Sequence, residues 1–153
     1  MKPLRKLTIS AIAIALYIII MYTTQGFAFG QYQVRIATSL YSLSYIFPFL
    51  ILPLGLSNLL SNTLMGGLGL LDMVGGFSVG IITSGLVYLI RRYKISEWTI
   101  ALPIILIPGL LVPVWLSYLL KIPYSILAVS LCIGQIIPGI VGVLLVKRLK
   151  NIF

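Results

Sequence analysis

The sequence predicts an all-α integral membrane protein of six transmembrane helices, a single domain over residues 1–153, with N and C termini both cytoplasmic. Three observations carry this reading. The chain is 60% hydrophobic and only 8% charged, with a mean hydropathy of +1.15. Soluble domains are about half apolar and about a quarter charged, and one this small has too much surface per volume to hide such an excess. The charges fall in short clusters that cut the chain into apolar runs suited to a hydrocarbon core about 30 Å thick. Finally, an even number of spans puts Lys2, Arg5, Lys6, Arg91, Arg92, Lys94, Lys147, Arg148 and Lys150 on one side. That is the asymmetry the positive-inside rule requires, and five or seven spans would split it.

The first span covers residues 7–24. It follows three basic residues as a signal peptide would, but no small-residue cleavage site comes after it and further long apolar runs do. Residues 25–33 (QGFAFGQYQ) are polar, aromatic and glycine-containing, and predict a loop. No charge occurs between Arg35 and Asp72. One helix of that length would run to about 54 Å, too long for one crossing. Pro53 and Gly55 therefore divide it into a second span, 36–52, and a shorter third, 56–65. Gly66, Gly67, Leu68 and Gly69 predict a flexible turn. The fourth span, 73–90, closes on Arg91, Arg92 and Lys94. The fifth, 98–120, contains Pro103, Pro108 and Pro113, which must kink it and leave carbonyls for neighbouring helices to satisfy. The sixth, 122–146, contains Pro138.

The net charge of +9 does not indicate nucleic acid, because the basic residues flank spans and do not mass on one polar face. The single cysteine, Cys132, allows no internal disulfide and no thiolate metal site, and there is no histidine. With only Asp72 and Glu97 as carboxylates, the chain lacks the proton-transfer, nucleophilic and metal-holding groups that catalysis needs. It is read as a non-enzyme with no metal. Glu97 lies beside the basic 91–94 loop and is expected to pair with Arg or Lys.

Arg35 and Asp72 are the informative charges, since they open spans two and four at similar depth. They form either a structural ion pair at the membrane surface or the walls of a polar cavity. Gln25, Gln31, Tyr32, Gln33, Asn58, Asn62, Trp115, Tyr118, Tyr124 and Gln135 can share the outer half with them. Uncharged donors and acceptors beside aromatics suit a flat heteroaromatic ligand, although each aromatic taken singly also suits an interfacial belt. The expected ligand-binding set is Arg35, Asp72, Gln135, Asn58, Asn62, Gln31, Tyr32, Trp115 and Tyr118. Ala11 and Ala15 share one face of span one, where small side chains permit close approach of another helix, in a partner or within the fold.

FGQYQVRIATSL, SNLLSNTLMGGLGLLDMVGG and LCIGQIIPGIVG resemble the QueT family, over most of the chain and most strongly in the order Arg35, Asn58, Gly69-Leu70-Leu71-Asp72, Gly76. The resemblance implies a substrate-binding S component of an energy-coupling-factor (ECF) transporter, in a prokaryotic cell membrane, taking up a queuosine precursor. It further implies ligand capture from outside beneath the 25–33 loop. Docking through Ala11 and Ala15 would follow, on a transmembrane coupling subunit driven by two ATPases. ATP would be used by those partners, with no cofactor in this chain. The family pattern carries Glu at the positions of Thr38 and Gln135. Neutral residues there favour a neutral deazaguanine, or another vitamin-like ligand such as a corrinoid, over an aminomethyl deazaguanine. Two other classes remain open: a structural or assembly subunit without ligand, and a small channel or autonomous carrier.

Overall fold

The computed structural model describes residues 1–153, and every regular element in it is helical. Helix α1, Pro3–Thr23, begins with proline at its first position, where no intrahelical N–H partner is lost. A single turn, α2, Gln25–Ala28, follows within the expected loop.

The second pass differs from expectation. Residues Ile36–Tyr45 form a 3₁₀ helix, not the first part of an α-helical span 36–52. Runs beyond a few residues are uncommon in 3₁₀ geometry, and side chains support this one. The Thr38 hydroxyl is 2.7 Å from the Arg35 carbonyl and the Ser44 hydroxyl donates to the Tyr41 carbonyl at 2.7 Å, both three residues back. Seven of its ten residues are buried. The chain breaks at Ile46 and Phe47, ahead of Pro48, a residue that disfavours helical conformation in its predecessor. A short 3₁₀ turn Pro48–Leu50 leads directly into α3, Ile51–Leu64. Pro53 and Gly55 thus do not divide two spans. Pro53 sits in the first turn of α3, where the missing N–H costs no helical bond.

Helix α4, Leu70–Arg92, starts after a turn in which Gly66 and Gly69 take φ of 76° and 100°, as the glycine run predicts. A 3₁₀ turn Glu97–Ile100 precedes α5, Ala101–Leu120, which carries Pro108 and Pro113 inside it. The Tyr124 hydroxyl donates to the Leu110 carbonyl, one turn before Pro113, at 2.7 Å. The expected sixth span is two helices, α6 Tyr124–Gly134 and α7 Ile136–Leu149, meeting at Gln135. Pro138, in the first turn of α7, leaves the carbonyl of Gly134 without its usual donor.

End contacts fix the topology. At one end Lys6 lies over Phe49, Phe47 packs edge-on to Phe153, Arg91 donates to the Tyr45 and Ile46 carbonyls, and Glu97 pairs with Lys150. The partner of Glu97 is thus the C-terminal lysine, not a residue of the adjacent loop. At the other end the Ala28 carbonyl, Arg35, Asn62, Asp72 and Trp115 meet. The chain therefore passes between the two ends six times. Four of the passes, Pro3–Thr23, Leu70–Arg92, Glu97–Leu120 and Tyr124–Leu149, are long and apolar enough to cross a membrane. The other two are shorter. Ten residues of 3₁₀ helix rise about 20 Å, and residues 48–64 about 25 Å. Helices α3 and α4 pack through small residues, with Gly55 against Ile81 and Gly80 against the Gly55 backbone.

Candidate functional site

The end that gathers Arg35 and Asp72 holds a cavity of about 400 Å³, lined by Gln25, Phe29, Gln33, Arg35, Asp72 and the 65–68 turn, with Leu116 and Leu120 as an apolar wall. Spacing of three along the 3₁₀ helix aligns Arg35, Thr38, Tyr41 and Ser44 on one face, and each makes a polar contact across the bundle. The Arg35 guanidinium is 7% exposed. Its Nε donates to the Ala28 carbonyl and its Nη1 to Asn62 Oδ1, both at 3.3 Å, and it lies 5.0 Å over the Phe29 ring. Asp72, 4% exposed, accepts from Trp115 Nε1 at 2.9 Å, and its second oxygen faces the Leu68 N–H at 3.4 Å.

Arg35 and Asp72 do not form an ion pair; the one ion pair in the chain is Lys150–Glu97. Asn62 stands between them, accepting from Arg35 and donating to the Asp72 backbone carbonyl at 3.2 Å. Two buried charges of opposite sign thus line one cavity with hydrogen-bonding capacity left over. Arg35 retains three N–H groups without a protein acceptor, and Asp72 retains lone pairs on both oxygens. A buried charge is costly without partners, so unspent capacity on two of them at one cavity is the feature that most suggests a ligand.

The remaining expected residues divide. Asn58, 3% exposed, lies deeper, donating to the Tyr41 hydroxyl at 2.7 Å in a chain that continues to the Tyr17 hydroxyl at 3.1 Å. Its Oδ1 has no hydrogen-bond partner. Both Asn58 and Asn62 press on Gly76, where a Cβ would meet Asn58 Oδ1 and Asn62 Nδ2. Trp115 orients Asp72, and its ring covers Gly75. Gln135, 2% exposed, donates from Nε2 to the Gln33 carbonyl at 3.1 Å, and its Oε1 lies 2.7 Å from the Thr38 hydroxyl. It ties the 25–33 segment to the α6–α7 junction and does not itself line the cavity. Beside it, Gly134 has no room for a Cβ because the Tyr32 carbonyl lies against it. Tyr32 contributes there through its backbone, while its side chain is half exposed. Gln31 is exposed. Tyr118 is 79% exposed and is not among the residues that line the cavity. Ala11 and Ala15 lie on the exposed face of α1, while Ala13 points into the core.

Sequence reasoning put Gln25 and Gln33 in the outer half but left them out of the binding set. It did not single out Phe29 or the backbone N–H groups of the 66–69 turn. The polar 25–33 composition was the available signal for the first three.

The family model described as QueT transporter matches residues 7–151. No curated protein and no solved structure matches the chain.

Proposed function

The chain belongs to the QueT transporter family, and from that membership we propose that it is the subunit that captures the substrate for an ECF-type importer. The family is one of S components for small molecules, not a catalytic one, and four long apolar helices make the chain a multi-pass membrane protein. The observation that carries the finer reading is the cavity holding two buried, mutually unpaired charges. Its position supports capture from outside. The 3₁₀ helix below Arg35 rises only about 20 Å, against a hydrocarbon core of about 30 Å, so the cavity is recessed in the end opposite most basic residues. That basic end is cytoplasmic by the positive-inside rule, which makes six crossings with both termini inside.

A volume of about 400 Å³ is at the small end for ligand pockets, and suits one heterobicycle better than a corrin macrocycle. Asp72 accepts from ring or amide N–H groups, Arg35 donates to a ligand carbonyl, and Gln25 and Gln33 adjust to either. Asp72 is the one carboxylate lining the cavity, and with no second one there for a cationic substituent, a neutral deazaguanine is favoured. Delivery would follow docking of the α1 face bearing Ala11 and Ala15 on a transmembrane coupling subunit with two ATPases. A ligand-free assembly subunit would have no reason to leave Arg35 and Asp72 with open valences. A channel would need a continuous polar path, whereas buried Tyr17, Tyr41 and Leu54 fill the middle of the bundle.

The test is native mass spectrometry of the purified chain with extraction of any retained small molecule. Titration with neutral and aminomethyl deazaguanines follows. Retention or saturable binding of a neutral heterobicycle supports the reading. Absence of saturable binding by any such compound to folded protein overturns it.

A further inference from the structure

At the basic end lies a second, larger cavity of about 840 Å³, bounded by the first turns of α1, the break at 46–48, the end of α4 and residues 150–153. Arg5, Lys6, Arg91 and Lys150 line it, and no Asp or Glu side chain does. Of the four, Lys150 is engaged by Glu97. Arg91 uses both N–H groups of Nη1 on the Tyr45 and Ile46 carbonyls, at 2.7 and 2.8 Å. This anchors the guanidinium over the break and leaves three N–H groups on Nε and Nη2 without a protein acceptor. Arg5 makes no hydrogen bond or ion pair, and Lys6 makes only a 5.8 Å contact with the Phe49 ring. Phe47 forms the floor with Phe49 and Phe153, at ring separations of 5.7 and 5.4 Å.

Cations at a cytoplasmic membrane end need no ligand in general; Arg92, Lys94 and Arg148 are simply exposed there. This group differs in three respects. It is concave, it holds an arginine whose direction is fixed by two backbone carbonyls, and it sets aromatic rings directly beside the charges. Like charges gathered in one concavity repel unless an anion joins them. A phosphodiester with an attached glycerol and acyl chain supplies both the anion and the apolar portion that the rings would cover. A free phosphate would leave the rings without a partner.

We propose that this cavity binds the headgroup of an anionic phospholipid of the leaflet it faces. Arg5, Lys6 and the free edge of Arg91 hold the phosphate, and Phe47, Phe49 and Phe153 cover the glycerol and upper acyl chain. The proposal rests on the bundle spanning a membrane, not on any ligand at the opposite end. Occupancy would also brace the non-helical break at 46–48.

The full chain, purified in mild detergent with equal phosphatidylglycerol and phosphatidylcholine, is analysed by native mass spectrometry. One phosphatidylglycerol should be retained preferentially. R5Q/K6Q should weaken its retention about 30-fold, from about fivefold per cation near a lipid surface. R92Q/K94Q, equal in charge change but outside the cavity, should leave it unchanged. R91Q should weaken it as well; circular dichroism records whether the fold survives in R91Q and in R5Q/K6Q, the latter losing only the 5.8 Å contact of Lys6 with the Phe49 ring. Equal retention of both lipids, an equal loss in R92Q/K94Q, or no loss in R5Q/K6Q overturns the proposal. So does full displacement by excess inorganic phosphate, which would make this a free-anion site. If R5Q/K6Q leaves lipid retention intact but breaks assembly with the transport partners, the cavity faces an acidic protein segment and the lipid assignment fails.

Discussion

Asp72→Asn separates charge from geometry at the outer cavity. Asp72 accepts from Trp115 Nε1 at 2.9 Å and faces the Leu68 N–H at 3.4 Å. Asparagine in the same rotamer keeps an oxygen toward Trp115 and turns its amide N–H₂ toward Leu68. The folded protein thus loses one long hydrogen bond, about 1 kcal/mol, or about 2–4 °C in Tm for a chain of this size. A ligand N–H bonded to the carboxylate loses more. Its charge-assisted bond becomes neutral, and the new N–H₂ group opposes any ligand donor on that side. We expect about 2–3 kcal/mol of lost affinity, about 30- to 150-fold. The assay uses the two tryptophans. In a W98F background Trp115 is the sole tryptophan, hydrogen-bonded to the residue under test, and its emission on selective excitation reports titration with a neutral deazaguanine while melting is followed on the same sample. Arg35→Gln, which removes the contacts to the Ala28 carbonyl and Asn62, should lose binding comparably. Near-wild-type affinity of Asp72→Asn at normal Tm would refute direct contact. A large fall in Tm with normal binding by the folded fraction would make Asp72 structural.

Gly76→Ala introduces a Cβ into Asn58 Oδ1 and Asn62 Nδ2. It should cost about 1–3 kcal/mol by overpacking and, by displacing Asn62 from Arg35, weaken ligand binding from a residue outside the cavity wall; calorimetry and titration on one preparation check both. Ala11→Leu and Ala15→Leu fill the exposed face of α1 and should abolish uptake and complex assembly while binding by the isolated chain persists. Survival of assembly would refute docking through that face. Lys94→Cys should react with an impermeant thiol reagent only after cells are opened, and labelling of intact cells would overturn the cytoplasmic placement of the 91–94 loop.

The long helices were legible because a charge in an apolar chain can hardly lie anywhere but at a span end. That is why α1, α4 and α5 fall within a few residues of expectation. The 36–64 region was not legible by the same means, since it contains no charge to mark its ends. Proline content alone points to a division at Pro53, whereas the break precedes Pro48 and Pro53 is absorbed in a first turn. A period of three was present in Arg35, Thr38, Tyr41 and Ser44, and it distinguishes 3₁₀ from α geometry, but it covers only ten residues. That Arg35 and Asp72 lie at the same end of the bundle was legible for the same reason as the helix ends. Tyr118 was not excluded because residue type alone cannot tell an interfacial tyrosine from a cavity one. Helix phase can: Tyr118 lies about 200° around α5 from buried Leu116.

The candidate site is built where the backbone is least regular, and this would couple binding to stability. Irregular backbone at membrane depth persists only where protein satisfies its polar groups. Here the Ala28 carbonyl is held by Arg35, the Leu68 N–H by Asp72 and the Gln33 carbonyl, beside a φ of 44°, by Gln135. Two of those three side chains also present unspent hydrogen-bonding capacity to the cavity. A ligand that takes up that capacity therefore fixes the same groups that hold the loop after α1 and the turn before α4. Ala28, Phe29 and Met65 tie these segments to the core cluster, but both are short and otherwise polar or glycine-rich. Ligand binding should then be expressed as ordering of these two segments more than of the helices. At a ligand concentration a hundredfold above Kd the mass-action gain is about 2.7 kcal/mol, comparable with the few hydrogen bonds that hold the segments in place. If the proposed ligand binds there, ordering of these segments and occupation of the cavity would be one equilibrium. A substrate too small or too apolar to reach both Arg35 and Asp72 would bind without closing it.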